Sequence, residues 1–226
     1  MIDKRVETIE AALSGIEDGA TILLAGFGDV GMPMALLRGM VGHAARNLTL
    51  VTNSGGRDGS LLSALLDTGR VRHLICSFVR AESSAGRLLQ AGRLTVEIVP
   101  QGTLAERMRA AGAGIAAFYT PTGADTLLAE GREVREIDGR NCLLEYPLRG
   151  DVALLEAYAA DRWGNLVFRE SQRNFNPVMA MAAKLAIAEV REFQALGTLD
   201  PSLIAAPGVF VDRVVHIPEA AREKAA

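Results

Sequence analysis

Four times before residue 105 the chain runs through the same three steps. A short apolar run, at 21–25, 47–52, 71–79 and 94–99, gives way to a turn, and the turn to a stretch with helical spacing. Strands separated by helices of about ten residues cross over rather than form hairpins, so the pattern predicts an α/β fold: a mostly parallel sheet with helices on both faces. Ligands of such sheets gather at the loops that follow the strand ends. Three loops qualify: Gly26-Phe27-Gly28-Asp29-Val30-Gly31, Asn53-Ser54-Gly55-Gly56, and Gln101-Gly102.

The helices have their own signals. Val6, Ile9, Leu13 and Ile16 recur at helical spacing and mark an amphipathic first helix that Asp18-Gly19 ends. Pro33 fits the first turn of a helix through Met34, Leu36, Leu37, Met40 and Val41; residues 61–66 and 88–91 supply two more. Thr103 and Glu106 stand three apart, as in a capping box, which predicts a helix from Leu104 with Gln101 and Gly102 just outside it. An amide held at the donor-rich end of a helix can donate to a carbonyl oxygen that gains negative charge during acyl transfer.

Past Gly123 the texture changes. Segments 132–137 and 141–145 flank Asp138-Gly139, a hairpin signal. Residues 152–160 carry helix-favouring alanines, yet Gly164-Asn165 and 166–168 suggest a second hairpin. Asn176-Pro177 reads as a cap and first turn of a helix through Lys184, 187–190 as a further strand, and 219–226 as a frayed end. No linker or repeat divides the 226 residues, so one domain, 1–226, is expected.

Composition removes several functions. Hydrophobic residues make up 49% and aromatics 5%, which predicts an aliphatic core, and a net charge of −3 gives no reason to expect nucleic acid. Cys76 and Cys142 lie far apart in apolar runs and read as buried free thiols of a reducing cytoplasm. No apolar signal core opens the chain and no run is long enough to span a membrane. His43, His73 and His216 are dispersed, without metal-ligand spacing, so no metal is expected.

The segments DGATILLAGFGDVGMP, RNLTLVTNSGG, PQGTLAER with AGAGIAAFYTPTG, DRWGNLVFR and RNFNPVMAMAAK resemble the A subunit of the family I CoA-transferases, the 3-oxoacid group, over nearly the whole chain. The resemblance implies a CoA-transferase-like fold and makes 152–160 a strand. It assigns Gly26, Phe27, Gly28, Asp29, Val30 and Gly31 to CoA, Gln101 to the oxyanion site, and Asn53 and Gly102 to the substrate side. Asn53 matches the first asparagine of a paired-asparagine loop whose second place is Ser54 here. The loop 26–31 also has dinucleotide-like G-x-G-x-x-G spacing, but a nicotinamide site wants an acidic residue after the next strand, where this chain has Asn53. A tight turn that needs glycine only for its geometry would show the same spacing.

The family's nucleophile is a glutamate in a serine-glutamate-asparagine-glycine motif, and this chain has none; Glu82 and Glu170 precede serines in other contexts. The resemblance places that glutamate on a B subunit. It so implies a heterodimer or heterotetramer that moves CoA from succinyl-CoA to a 3-oxoacid, with CoA as substrate and no permanently bound cofactor. DRWGNL and NPVMAMAAK look closer to the 3-oxoadipate branch than to the acetoacetate branch. An acetoacetate or acetate enzyme is the alternative acid, and a non-catalytic ligand-binding domain the alternative class. Arg162, Arg169, Arg173 and Lys184 could meet a dicarboxylate or CoA phosphates, although solvated surface or subunit contact is the plainer account.

Overall fold

The computed structural model describes residues 2–218, and the segment expected to fray, 219–226, lies outside them. The first half alternates: β1 (Arg5–Val6), α1 (Ile9–Leu13), β2 (Thr21–Leu24), α2 (Met34–Gly42), β3 (Leu48–Val51), α3 (Leu61–Asp67), β4 (Val71–Cys76), α4 (Ser84–Gln90), β5 (Thr95–Ile98) and α5 (Gln101–Ala113). A strand-rich half follows, with β6 (Phe118–Thr120), β7 (Val134–Ile137), β8 (Arg140–Glu145), β9 (Gly150–Ala160), β10 (Leu166–Val167), α6 (Asn176–Ala182), β11 (Ala183–Phe193), β12 (Ile204–Ala206) and β13 (Arg213–His216).

The main sheet runs β1-β13-β11-β9-β2-β3-β4-β5, parallel throughout, with β10 antiparallel to β9 and β12 antiparallel to β10. Alternation along each strand divides the side chains between two cores. Ile22, Leu24, Leu50, Leu74, Val152 and Leu154 face a layer built from α1 to α4, through Leu13, Leu37, Met40, Leu66 and Leu88. Leu23, Val51, Ile75, Ala153, Leu155 and Ala188 face α5 and α6, through Leu104, Met108, Met179 and Ala182. Helices therefore cover both faces, as the alternation predicts. The alanines of β9, which favour helix in isolation, are the small residues that let α6 sit down on a strand buried on both sides.

A second, antiparallel sheet runs β6-β8-β7. Its hairpin turns at Asp138 and Gly139, at φ 50° and 73°, the left-handed pair that a two-residue loop requires. Both cysteines are buried and free.

Several predicted boundaries move for physical reasons. Val6 leaves the first helix to pair in β1 with Val215, and Thr8 caps α1 by accepting from Ala11 N at 3.1 Å. The helix expected at 88–91 starts at Ser84, capped by Ser83. The helix expected to reach Lys184 stops at Ala182, because β11 pairs with β9 from Ala183 onward. The capping box at Thr103 and Glu106 does not form. Pro100 ends the strand and its carbonyl at once accepts Leu104 N at 2.8 Å, so α5 begins at Gln101. Thr103 is buried inside the first turn, and Glu106 accepts from Arg109 instead. Asn176, read as a cap, is the first helical residue and Phe175 precedes it as cap.

Candidate functional site

Because β2, β3, β4 and β5 are parallel, the loops that leave them emerge on one edge. Backbone bonds lace these loops together: Ser77 N donates to Asn53 O at 3.0 Å, Gly55 N to Phe78 O at 2.8 Å and Val99 N to Cys76 O at 2.9 Å. Between them lies a cavity of about 1020 Å³ whose wall includes Phe27, Gly28, Asp29, Asn53, Arg80 and Gln101. Two residues 48 positions apart, one in the loop after β3 and one in the first turn of α5, meet there: Gln101 Nε2 donates to Asn53 Oδ1 at 2.6 Å. An amide nitrogen carries two protons, so this bond orients the Gln101 side chain and leaves a second donor at the cavity. Gln101 thus sits in the first turn of α5 rather than outside it. Gly102 shares that turn but is absent from the cavity wall.

The loop 26–31 separates this cavity from another of about 1140 Å³. Phe27, Gly28 and Asp29 face the first, Asp29, Val30 and Gly31 face the second, and Gly26 lines neither. Phe27 and Val30 bond each other across the loop, N to O at 2.9 and 3.3 Å. Strand, glycine loop and helix opening suggest a free cluster of N–H groups for an anion, but the opening of α2 is filled from within. The carboxylate of Glu189, 1% exposed on β11, accepts Ala35 N at 2.8 Å and Leu36 N at 2.9 Å.

The loop is fastened on its other flank by the RNFNP segment. Asn174 Nδ2 donates to Val30 O at 2.9 Å, and Asn176 Nδ2 to Gly31 O at 3.0 Å and Gln172 O at 2.9 Å. Gly31 holds φ +67°, and a Cβ there would lie 2.4 Å from Gln172 O, so glycine is required by both conformation and space. Two stretches more than 140 residues apart are therefore one device.

The other candidates fall elsewhere. Arg169 lines the second cavity and lies over the Tyr158 ring at 4.0 Å; Lys184 pairs with Asp151 at 2.8 Å; Arg162 and Arg173 line neither cavity. The cations that do line the first cavity are Arg38, Arg57 and Arg80, which no local pattern in the sequence marks. Arg57 pairs with Asp29. Glu189 does carry a signal, as a lone acid in the apolar run AIAEV. Burial pushes the Cys76 thiol up to about 11, which disfavours its thiolate at neutral pH. Among the described residues no group of three or more His, Cys, Asp or Glu could hold a metal, and no helix is long and apolar enough to cross a membrane.

A family description, Coenzyme A transferase, matches residues 6–216. The chain belongs to the coenzyme A transferase family. It is 52% identical over 223 residues to the A subunit of the 3-oxoadipate CoA-transferase of Pseudomonas putida, a match that covers 98% of this chain and 96% of that one. It is 48% identical over 213 residues to the A subunit of a succinyl-CoA:3-ketoacid coenzyme A transferase of Xanthomonas campestris, covering 94% and 88%. Among solved structures, an acyl-CoA transferase of Escherichia coli O157:H7 superposes with a TM-score of 0.85 at 22% identity, over 96% of this chain. This CoA-transferase chain spans half the length of that one.

Proposed function

We propose that this chain is the A subunit of an enzyme that moves CoA from succinyl-CoA to a 3-oxoacid, 3-oxoadipate in particular, with a B subunit that supplies the nucleophile. The observation that carries the reading is the Gln101–Asn53 contact on the cavity wall. In such a transfer the partner's glutamate attacks the thioester carbonyl. The C–S bond breaks, CoA leaves as thiolate, and a mixed anhydride forms. The thiolate then attacks the glutamyl carbonyl, releases the first acid and leaves a glutamyl thioester, which the 3-oxoacid opens by the same steps in reverse. Each attack puts negative charge on a carbonyl oxygen. The free N–H of Gln101 meets that charge, and Asn53, held by the same bond, stands on the substrate side, whereas Gly102, off the cavity wall, has no contact role.

Three things support a separate B subunit. The chain lacks the nucleophile motif, its relatives from P. putida and X. campestris are both named as A subunits, and the E. coli chain is twice as long. The choice of 3-oxoadipate follows the P. putida relative, and the X. campestris relative keeps a 3-ketoacid such as acetoacetate as the second reading. In place of a free N–H cluster for CoA, the loop 26–31 offers the exposed side chains of Phe27 and Val30 and the Asp29–Arg57 pair. The test is to co-express the chain with its B subunit, then to assay succinyl-CoA against 3-oxoadipate, acetoacetate and acetate. Gln101→Ala should slow transfer about a hundredfold to a thousandfold without disturbing assembly. Wild-type turnover in that variant, or activity from this chain alone, refutes the reading.

A further inference from the structure

Three arginines line the cavity that holds Gln101 and Asn53, and the steps of transfer use none of them. Arg57 is paired with Asp29, and Arg38 is engaged within the chain. Arg80 differs. Among the described residues no carboxylate pairs with it, and its guanidinium lies over the Phe78 ring, 5.8 Å from the centroid. Its backbone is fixed, since the Arg80 carbonyl accepts Ser83 N at 3.1 Å and Ser83 Oγ at 2.7 Å, where Ser83 caps α4. The residues just before it are bonded to the loop of Asn53 through Ser77 and Phe78. An anchored stem thus presents an exposed, planar cation on the wall that also carries the amide pair.

We propose that Arg80 binds the free terminal carboxylate of a dicarboxylic acyl group and so selects dicarboxylic over monocarboxylic acids. The proposal rests on the reading given under Proposed function. A guanidinium takes a carboxylate through two parallel N–H bonds, and an aromatic face beneath it holds the plane of the fork. In a transfer with an enzyme-bound CoA intermediate, the donor's acyl group and the acceptor occupy the same place in turn. Succinyl and 3-oxoadipyl groups both carry a second carboxylate, so one cation serves both halves of the reaction. Acetoacetyl has none and gains nothing from it.

The experiment uses the co-expressed complex and kcat/KM for two donors, succinyl-CoA and acetoacetyl-CoA, and two acceptors, 3-oxoadipate and acetoacetate. Each such ratio reports its own half-reaction. Arg80→Ala should lower the values for succinyl-CoA and 3-oxoadipate about tenfold to a hundredfold and leave the other two unchanged. Arg80→Lys, which keeps the charge and loses the fork, should fall between. An equal loss for all four substrates would place Arg80 against CoA itself and overturn the proposal, as would no loss for any. A wild-type complex that transfers CoA only among monocarboxylic acids defeats the underlying reading before any variant is made, and this inference with it.

Discussion

Alanine at Gly31 and alanine at Gly28 impose the same backbone strain in different surroundings. Both glycines are left-handed, at φ +67° and +61°. An alanine held there costs about 1–2 kcal/mol. At Gly28 nothing lies within 4 Å of an added Cβ, so that cost is the whole effect. At Gly31 the Cβ would sit 2.4 Å from Gln172 O and 2.5 Å from Asn174 Nδ2. The first is backbone and the second already bonds Val30, so the segment 172–176 must shift, which adds about 1–3 kcal/mol. With an unfolding slope of about 2 kcal/mol per molar urea, Gly28→Ala should lower the midpoint by about 0.5–1 M and Gly31→Ala by about 1–2.5 M. Urea unfolding of the purified variants, with equal slopes, measures both. Equal midpoints would mean that the loop is not clamped by Asn174 and Asn176 as described.

Glu189→Ala should destabilise by about 2–4 kcal/mol, because it removes a carboxylate that two helix-end N–H groups donate to, while Glu189→Gln should cost less by keeping an acceptor; chemical denaturation distinguishes them, and a neutral Glu189→Ala would remove the carboxylate from the account of α2. Cys76 should react with a thiol reagent at pH 8 only as fast as the protein opens, since it is fully buried and burial raises its thiol to about 11; rapid labelling of the folded chain, mapped by mass spectrometry, would contradict this. Asp151 is held below the usual carboxylate range, first by its bond from Lys184 and then by Thr21 N. The stability it contributes is therefore present above the unfolded value of about 4 and lost as pH falls through the lower folded value, so Asp151→Asn should flatten the acid limb of a melting-temperature profile and leave its shape above pH 6 alone.

The two-faced parallel sheet was legible because it depends on periodicity, which short-range sequence carries: Ile22, Leu23 and Leu24 are buried whichever core each enters. Boundaries slipped where one residue had two roles. Thr103 has the spacing of a cap, but Pro100 is three residues earlier and fixes the chain first. Lys184 prolongs the helical pattern of α6, but β9 offers it a ladder that only the tertiary fold supplies. The places of Gln101 and Asn53, each after a strand of a parallel sheet, were legible, while their proposed roles came from the family resemblance. Their contact was not legible, because it joins the loop after one strand to the helix after another. Arg38, Arg57 and Arg80 come from a helix and two loops, and arginines scattered at that spacing look like any solvated surface. The filling of the α2 opening by Glu189 needed a residue 153 positions away from Leu36.

That last bond, with the asparagine clamp, bears on the order in which the molecule is made. Residues 26–31 leave the ribosome more than 140 residues before the groups that hold them, at 174 and 176, and the α2 opening waits longer still, for Glu189. β2 finds β3 on one side soon after synthesis but waits for β9 on the other. Contacts this distant along the chain close slowly, since the intervening segment must first be drawn in. The wall between the two cavities is thus synthesised well before the residues that set it, and a chain cut short of residue 174 would keep the glycines and lose the shape they exist to make.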